Sequence, residues 1–178
     1  MAASRQLIAG DHTERSDRHE AVLAMQPVGY WPADEGKGEI LQDRSGNDNH
    51  GKIFQTPWAD GLLDFTSRFE WAEIPSHATY QSEAFTIGGW LFSRRGSYKR
   101  KGMLFMGIAN PIGMWKNPGT MLRIREGSEV EVVSDGQADA IGSMADKDTV
   151  AINQWQHVLY TYAAGTGKLY VNGQLVQS

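Results

Sequence analysis

The sequence contains no cysteine, which excludes disulfide bridges, thiolate zinc sites and cysteine nucleophiles together. It also lacks any run near the ~18 apolar residues that a membrane-spanning helix needs. Near the start, Leu7, Ile8 and Ala9 form an apolar run too short for a signal peptide. We therefore expect either a cytoplasmic chain or an export signal that is not part of this polypeptide. Basic residues are the minority, 17 against 21 acidic, and the net charge of −4 argues against a general binder of nucleic acid or anionic membrane.

Aromatic residues and glycine are abundant in this chain of 178 residues. Six Trp, six Tyr, six Phe and 20 Gly are too many packing and turn residues for a disordered polypeptide. The length suits one domain with a proper core and is short for two. The composition therefore predicts one globular domain, rich in aromatic side chains and turns.

The chain divides into a tail and a domain. Residues 1–17 show no periodicity and predict a flexible tail, so the domain is expected over 18–178. A short helix should open the domain, capped by Ser16 or Asp17 and ended by Pro27.

From Val28 onward the pattern indicates strands. Phe85–Phe92 is the clearest early strand, and residues 155–162 alternate two sets of side chains. Asn172-Gly173 is the dipeptide that accepts positive φ at both centres of a type I′ hairpin turn. Strands that recur every 8–12 residues predict an all-β fold, an antiparallel β-sandwich.

Three separated motifs resemble the laminin G-like domains of the concanavalin A-like lectin/glucanase superfamily. They are the opening segment 27–51, the central strand 84–90 and the Trp-x-His-Val to Tyr-Val-Asn-Gly hairpin of 153–173. The resemblance covers about residues 20–178. It implies a jelly-roll sandwich that binds carbohydrate or protein outside the cell or at its surface, often as an appendage of a larger protein.

The sequence also departs from this family. Phe65-Thr66-Ser67 stands where Phe-Asp-Gly is usual, and the family's C-terminal strands are missing after Gln174-Leu175-Val176. We expect an incomplete sandwich. Either the chain is a fragment whose remaining strands lie in missing downstream sequence, or a partner supplies these strands.

Oxygen-bearing side chains alternate along the loop 43–49. Calcium takes six to eight hard oxygen ligands, and an alternating loop lets side chains and carbonyls converge. The candidate Ca²⁺ ligands are Asp34, Asp43, Asn47 and Asn49. The alternative is a turn whose Asp, Ser and Asn side chains bind backbone amides.

Acidic residues on one strand raise the question of catalysis. Glu129 and Glu131 share a face by alternation, and a bulge could add Asp135. Retaining glycosidases need two carboxyls about 5–5.5 Å apart. The resembling glucanases carry Glu, Asp and Glu, which this strand does not reproduce, so we interpret it as a solvated face and expect no enzyme. His157 is interpreted as a packed, hydrogen-bonded core residue.

The aromatic residues divide by context. Trp31, Trp71, Trp90 and Trp155 lie in strand patterns and are predicted to be core. The predicted ligand contacts lie in loops, where an exposed ring offers a flat face to a sugar: Trp58, Tyr98 and Trp115.

The loop 94–101 holds five of the seventeen basic residues. Arg94 and Arg95 could bind sulfated or uronic polysaccharide. A solvated hairpin tip is the alternative, and nucleic acid is disfavoured because one aromatic alone interleaves.

These observations predict a non-catalytic binding module for carbohydrate. A protein-adhesion or structural domain is the alternative, and a glycoside hydrolase is a third.

Overall fold

The computed structural model describes residues 12–66, 69–75, 80, 82–93, 100–107, 119–125, 130–134, 143–144 and 150–178. Side chains are described for residues 17–66, 69–75, 80, 82–93 and 150–178. Within these ranges one α-helix accompanies thirteen strands, and every strand pair is antiparallel. The predicted all-β class is confirmed.

Helix α1 spans His12–Ala24 and begins earlier than predicted. Residues 12–17, expected in the tail, are helical, since Glu14 and Arg15 are good helix formers even without an apolar stripe. The helix ends in a turn in which the Gln26 amide donates to the Leu23 carbonyl at 2.9 Å. Gln26 has a φ of 52°, and the following Pro27 disfavours further helix, as predicted.

The contacts divide the chain into two compact units, Met1–Thr79 and Tyr80–Ser178, which are described separately. The first unit contains a three-stranded sheet of order β1-β2-β5 and a small hairpin of β3 and β4. These strands are β1 Ile40–Leu41, β2 Gly51–Phe54, β3 Trp58–Ala59, β4 Leu62–Leu63 and β5 Trp71–Glu73. Among its described side chains, the buried apolar ones are Leu41 and Ile53.

The second unit contains two four-stranded sheets. One has the order β10-β9-β8-β7, and the other, the C-terminal sheet, has the order β13-β12-β11-β6. The strands are β6 Phe85–Phe92, β7 Arg100–Gly107, β8 Gly119–Arg125, β9 Val130–Ser134, β10 Ser143–Met144, β11 Trp155–Ala163, β12 Thr166–Val171 and β13 Gln174–Gln177.

One face of the C-terminal sheet forms a hydrophobic core. Strand β11 alternates strictly, so Gln156, Val158 and Tyr160 are buried while their neighbours are partly exposed. The fully or nearly buried cluster consists of Val150, Val158, Tyr160, Leu169 and Val171. The alternation predicted for residues 155–162 is therefore confirmed.

Two tight turns connect the last three strands. Asn172 and Gly173 have φ values of 50° and 79°, the positive values that the dipeptide was predicted to accept. Ala164 and Gly165, with φ values of 49° and 77°, form the turn between β11 and β12.

The core prediction is wrong for two tryptophans. Trp90 is 59% exposed and Trp71 is 42% exposed, whereas Trp31 and Trp155 are partly buried. The reason is strand parity, because a strand sends alternate side chains to opposite faces. Trp90 shares its face with the exposed Thr86 and Gly88.

Candidate functional site

The loop 43–49 is organised around the carboxylate of Asp43, which is buried at 6% exposure. Its Oδ1 accepts hydrogen bonds from the backbone amides of Tyr30 and Ser45, both at 2.9 Å. Its Oδ2 accepts from the Ser45 hydroxyl at 2.8 Å and from the Asn49 amide at 3.0 Å. Asp43 thus holds its own loop closed and joins it to the segment that follows helix α1.

The pKa of Asp43 is lowered from its ordinary value of 3.8. Burial alone would raise this pKa, but the four hydrogen bonds favour the charged form and together outweigh burial. The carboxylate is therefore ionised at neutral pH, and its charge is satisfied within the loop.

Asn47 and Asn49 use their amide nitrogens in the same connection. The Asn47 side chain donates to the Ser45 hydroxyl at 3.1 Å and to the Val28 carbonyl at 3.3 Å. The buried Asn49 side chain donates to the Val28 carbonyl at 3.2 Å. Both residues tie the loop to the chain after helix α1.

Asp34 lies between the side chains of Arg44 and His19. Its Oδ1 is 3.7 Å from Arg44 Nη2, and its Oδ2 is 3.5 Å from His19 Nε2. The other ring nitrogen of His19 is 2.8 Å from the Tyr30 hydroxyl, so this network joins helix α1 to residues 30–34.

The hydrogen bonds of Asp43 decide whether its carboxylate is available to the predicted calcium ion. A carboxylate has about four acceptor positions, and those of Asp43 face four donors. As arranged, Asp43 does not fit a cation, which would have to displace at least one donor. In the described part of the chain, no three His, Asp or Glu side chains converge as a metal site. Calcium binding therefore stays a prediction.

Of the predicted ligand contacts, Trp58 alone lies within the described residues. It belongs to β3, is partly buried, and donates its indole N–H to the Gly38 carbonyl at 2.9 Å. Tyr98, Trp115, Arg94 and Arg95 lie outside the described residues. The grouping of these contacts into one ligand site therefore stays a prediction.

The acidic strand is described in part. Glu131 lies on β9, paired in register with Arg123 of β8 and Met144 of β10. Glu129 and Asp135 lie outside the described residues. The interpretation of this strand as a solvated, non-catalytic face stays a prediction.

The core prediction is wrong for His157, because the parity of β11 sends Gln156 and Val158 to the core and His157 to the opposite face. Its ring lies beside Trp90, with centroids 5.3 Å apart and planes inclined by 47°. Its backbone amide donates to the Asn172 side chain at 2.9 Å, and its carbonyl accepts from the Asn172 amide at 2.8 Å. Burial lowers the pKa of His157, so the ring is neutral at pH 7.

Sequence reasoning missed the outward aromatic side chains of the C-terminal sheet. Trp90 pairs in register with His157, and Phe92 pairs with Trp155, whose ring is 5.7 Å away. Since residues paired in register share a face, the four rings lie on the face opposite the core. The available signal was parity, because Trp90 follows Thr86 and Gly88 in steps of two.

No helix among the described residues is long and apolar enough to cross a membrane.

The architecture agrees with comparisons to known proteins. A laminin G-type family model, described as the concanavalin A-like lectin/glucanases superfamily, matches residues 66–178. The chain therefore belongs to this superfamily, and the predicted concanavalin A-like β-sandwich class is confirmed. The opening segment 27–51 lies outside the matched range.

Among solved structures, the chain is similar to an S-layer domain-containing protein from Clostridium thermocellum (residues 221–444). The sequence identity is 18% and the TM-score is 0.49, over 84% of this chain and 70% of that one. A comparison with curated proteins found no match.

Proposed function

We propose that this chain is a non-catalytic carbohydrate-binding module that acts outside the cell or at its surface as part of a larger protein. The observation that carries the proposal is the family match over residues 66–178. The chain also carries exposed aromatic rings, and an exposed ring offers a flat apolar face to a sugar.

The absence of catalysis is proposed from the acidic strand. A retaining glycosidase needs one carboxyl as nucleophile and a second as acid and base at short separation. Glu129, Glu131 and Asp135 do not reproduce the Glu, Asp and Glu order of the glucanases that the sequence resembles. A hydrolase would release reducing sugar, and Glu131→Gln would abolish that release.

The ligand contacts proposed for this function are the loop residues that the sequence predicts. Trp58, Tyr98 and Trp115 would offer rings to a sugar, and Arg94 and Arg95 would pair with acidic groups on an anionic glycan.

The test is a pull-down of the chain against immobilised neutral and anionic polysaccharides. The proposal predicts retention on at least one of them and release by the same polysaccharide in solution. Retention on none would contradict carbohydrate binding.

A second candidate is adhesion to protein, which exposed apolar side chains near the end of helix α1 favour. Leu23 and Val28 are 38% and 51% exposed. They line a groove of about 620 Å³ together with polar residues that include Arg44 and Asn47. Exposed apolar side chains mixed with polar ones suit a protein surface, and none of the described residues that line this groove is aromatic.

The homotypic form of adhesion can be measured on the chain alone. Sedimentation velocity would show self-association that Val28→Asp weakens, together with no retention on any polysaccharide. A monomer that binds glycan would exclude this candidate.

A further inference from the structure

The C-terminal sheet has one face that the core does not use. Strand β6 places Thr86, Gly88 and Trp90 there, all exposed. Strand β11 adds Trp155, His157, Leu159 and Thr161, which are partly exposed, whereas its alternate residues are buried in the core. We call this side the Trp90 face; the register also assigns to it Phe92, Lys168, Tyr170 and Leu175.

Aromatic rings lie in two rows at one end of this face. Trp90 and His157 are neighbours at 5.3 Å, and Phe92 and Trp155 are neighbours at 5.7 Å. The rows are two residues apart along the strands, about 7 Å, so the rings form a continuous apolar strip. Leu159, Tyr170 and Leu175 continue it toward the β13 edge through their register.

Gly88, two residues before Trp90, lets strand β11 pack closely against β6. A Cβ at this position would come within 2.5 Å of the Val158 carbonyl oxygen and 2.8 Å of Leu159 Cδ1, so Leu159 occupies the space that a side chain would need. Trp90 stands clear with 59% of its surface exposed.

The charge of the face indicates what kind of ligand fits. Of the side chains assigned to it, Lys168 alone carries a formal charge, because the imidazole of His157 is neutral at pH 7. Thr86 and Thr161 are paired in register and add hydroxyl groups beside the rings. Among the described residues of this face, an anionic polysaccharide would find one cation and nucleic acid would find no basic track.

We propose that the Trp90 face binds a neutral polysaccharide, with Trp90 as the main stacking ring and Trp155 in the second row. Sugars present flat C–H surfaces edged by hydroxyl groups, which match exposed rings flanked by small polar side chains. The charge pattern favours a neutral glycan over an anionic one. The inference rests on the proposed carbohydrate-binding function and moves its site from the loops to the sheet.

Affinity electrophoresis of the full chain in gels containing hydroxyethyl cellulose or galactomannan tests this site. Trp90→Ala should weaken retention by about tenfold or more, because a stacked ring and its buried area are lost. Trp90→Phe keeps a ring and should lose less. The matched control is Trp71→Ala, since Trp71 is 42% exposed and stacks on Phe54 in the other unit, and this variant should bind as the wild type does.

The dependence of binding on salt distinguishes the Trp90 face from the basic loop 94–101 as the binding site. Raising NaCl from about 0.05 M to about 0.5 M screens charge pairs, so binding to the uncharged face should change by less than about twofold. Binding of polygalacturonate through Arg94 and Arg95 would instead fall steeply.

Each outcome of these experiments supports or overturns the Trp90 face, the proposed function or both. Unchanged retention of Trp90→Ala overturns the Trp90 face, and if Trp58→Ala or Trp115→Ala abolishes retention, carbohydrate binding stands at the loops. Salt-sensitive binding of polygalacturonate alone also overturns the face and leaves the proposed function intact. No binding of any polysaccharide by the wild type overturns both.

Should Trp90→Ala fail to fold, as shown by circular dichroism, the wild type still gives an answer. Hydroxyethyl cellulose should then reduce acrylamide quenching of tryptophan fluorescence, because the exposed indole becomes covered. Unchanged quenching at saturating polysaccharide would overturn the proposal.

Discussion

The carboxylate of Asp43 decides whether the loop 43–49 keeps its conformation, because four donors converge on its two oxygens. Asp43→Ala should lower the free energy of unfolding by about 2–3 kcal/mol, since buried amides lose a charged acceptor. Urea denaturation measures this change. The matched control is Asp48→Asn, because the Asp48 side chain is 93% exposed and Asn tolerates its positive φ of 56°, so this variant should stay within about 0.5 kcal/mol. Equal effects of the two variants would contradict the role given to Asp43.

The same carboxylate predicts a pH dependence. The folded state lowers the pKa of Asp43 below 3.8, so its stabilisation is complete above that pH and is lost as the pH falls through the folded pKa. Denaturation curves between pH 5 and pH 2 should show a smaller loss of stability for Asp43→Ala than for the wild type. An identical loss in both would show that other groups carry the acid sensitivity.

Tyr160 is a buried hydroxyl for which the described part of the chain offers no hydrogen-bond partner. Tyr160→Phe should therefore leave the protein as stable as the wild type, or up to about 1 kcal/mol more stable. Burial, with a smaller effect of Tyr162, raises the pKa of Tyr160 above 10.0. The stabilisation due to its neutral form is present below pH 10 and lost as the pH rises through the folded pKa.

Urea denaturation at pH 7 and above pH 10 measures both effects. Tyr160→Phe should lose less stability at high pH than the wild type does. The control is Tyr170→Phe, because Tyr170 lies on the neighbouring strand β12 and is partly exposed. A loss of more than about 1 kcal/mol at pH 7 would indicate that the hydroxyl has a partner.

At the scale of elements, strand β12 depends on a glycine that faces the Tyr160 ring. A Cβ at Gly167 would contact the Tyr160 hydroxyl and lie 2.8 Å from Cζ, which real Cβ atoms do not do. Gly167→Ala should therefore cost about 1–3 kcal/mol through overpacking. Thermal denaturation measures the loss, with the neighbouring exposed Thr166→Ala as control.

A double variant makes this prediction specific. Gly167→Ala combined with Tyr160→Phe removes the atom nearest the new methyl group and should recover part of the lost stability. Strict additivity of the two changes would contradict the contact.

Local patterns predicted the elements better than the contacts between them. The alternation of side chains predicted strand β11, and the Asn172-Gly173 dipeptide predicted the final turn. Both features depend on residues that are neighbours in the sequence. Helix α1 began early because helix propensity acts without an apolar stripe. The prediction that Trp90 lies in the core was wrong because it followed the residue type. Thr86 and Gly88, four and two residues earlier on β6, already indicated that this side of the strand is exposed.

The candidate site was harder to predict for a physical reason. Asp43 was identified from its loop, but its partner Tyr30 is thirteen residues away, and the sequence gives no signal for that bond. Whether four amides and hydroxyls or a cation would satisfy the carboxylate depends on this long-range contact. The aromatic pairs of the Trp90 face likewise depend on the register between β6 and β11, which lie far apart in sequence.

At the scale of the whole molecule, the calcium prediction has a direct test. If Asp43 keeps its four donors, thermal melts in calcium and in EDTA should give the same midpoint, because a ligand raises the midpoint only when it binds the folded state. Magnesium serves as the control for a general ionic effect. A midpoint raised by calcium alone would show that the loop rearranges to bind the ion.

The proposed function of the chain depends most on whether the Trp90 face binds a neutral polysaccharide. The most direct measurement is a ¹⁵N–¹H NMR titration of its six tryptophan indoles with a soluble oligosaccharide of the bound polymer. We expect the indole signals of Trp90 and Trp155 to shift. The signals of Trp31 and Trp58 should stay unchanged, because their N–H groups donate to the carbonyls of Asn49 and Gly38. Shifts of Trp58 or Trp115 with Trp90 unmoved, or no shift at saturating oligosaccharide, would contradict binding on the Trp90 face.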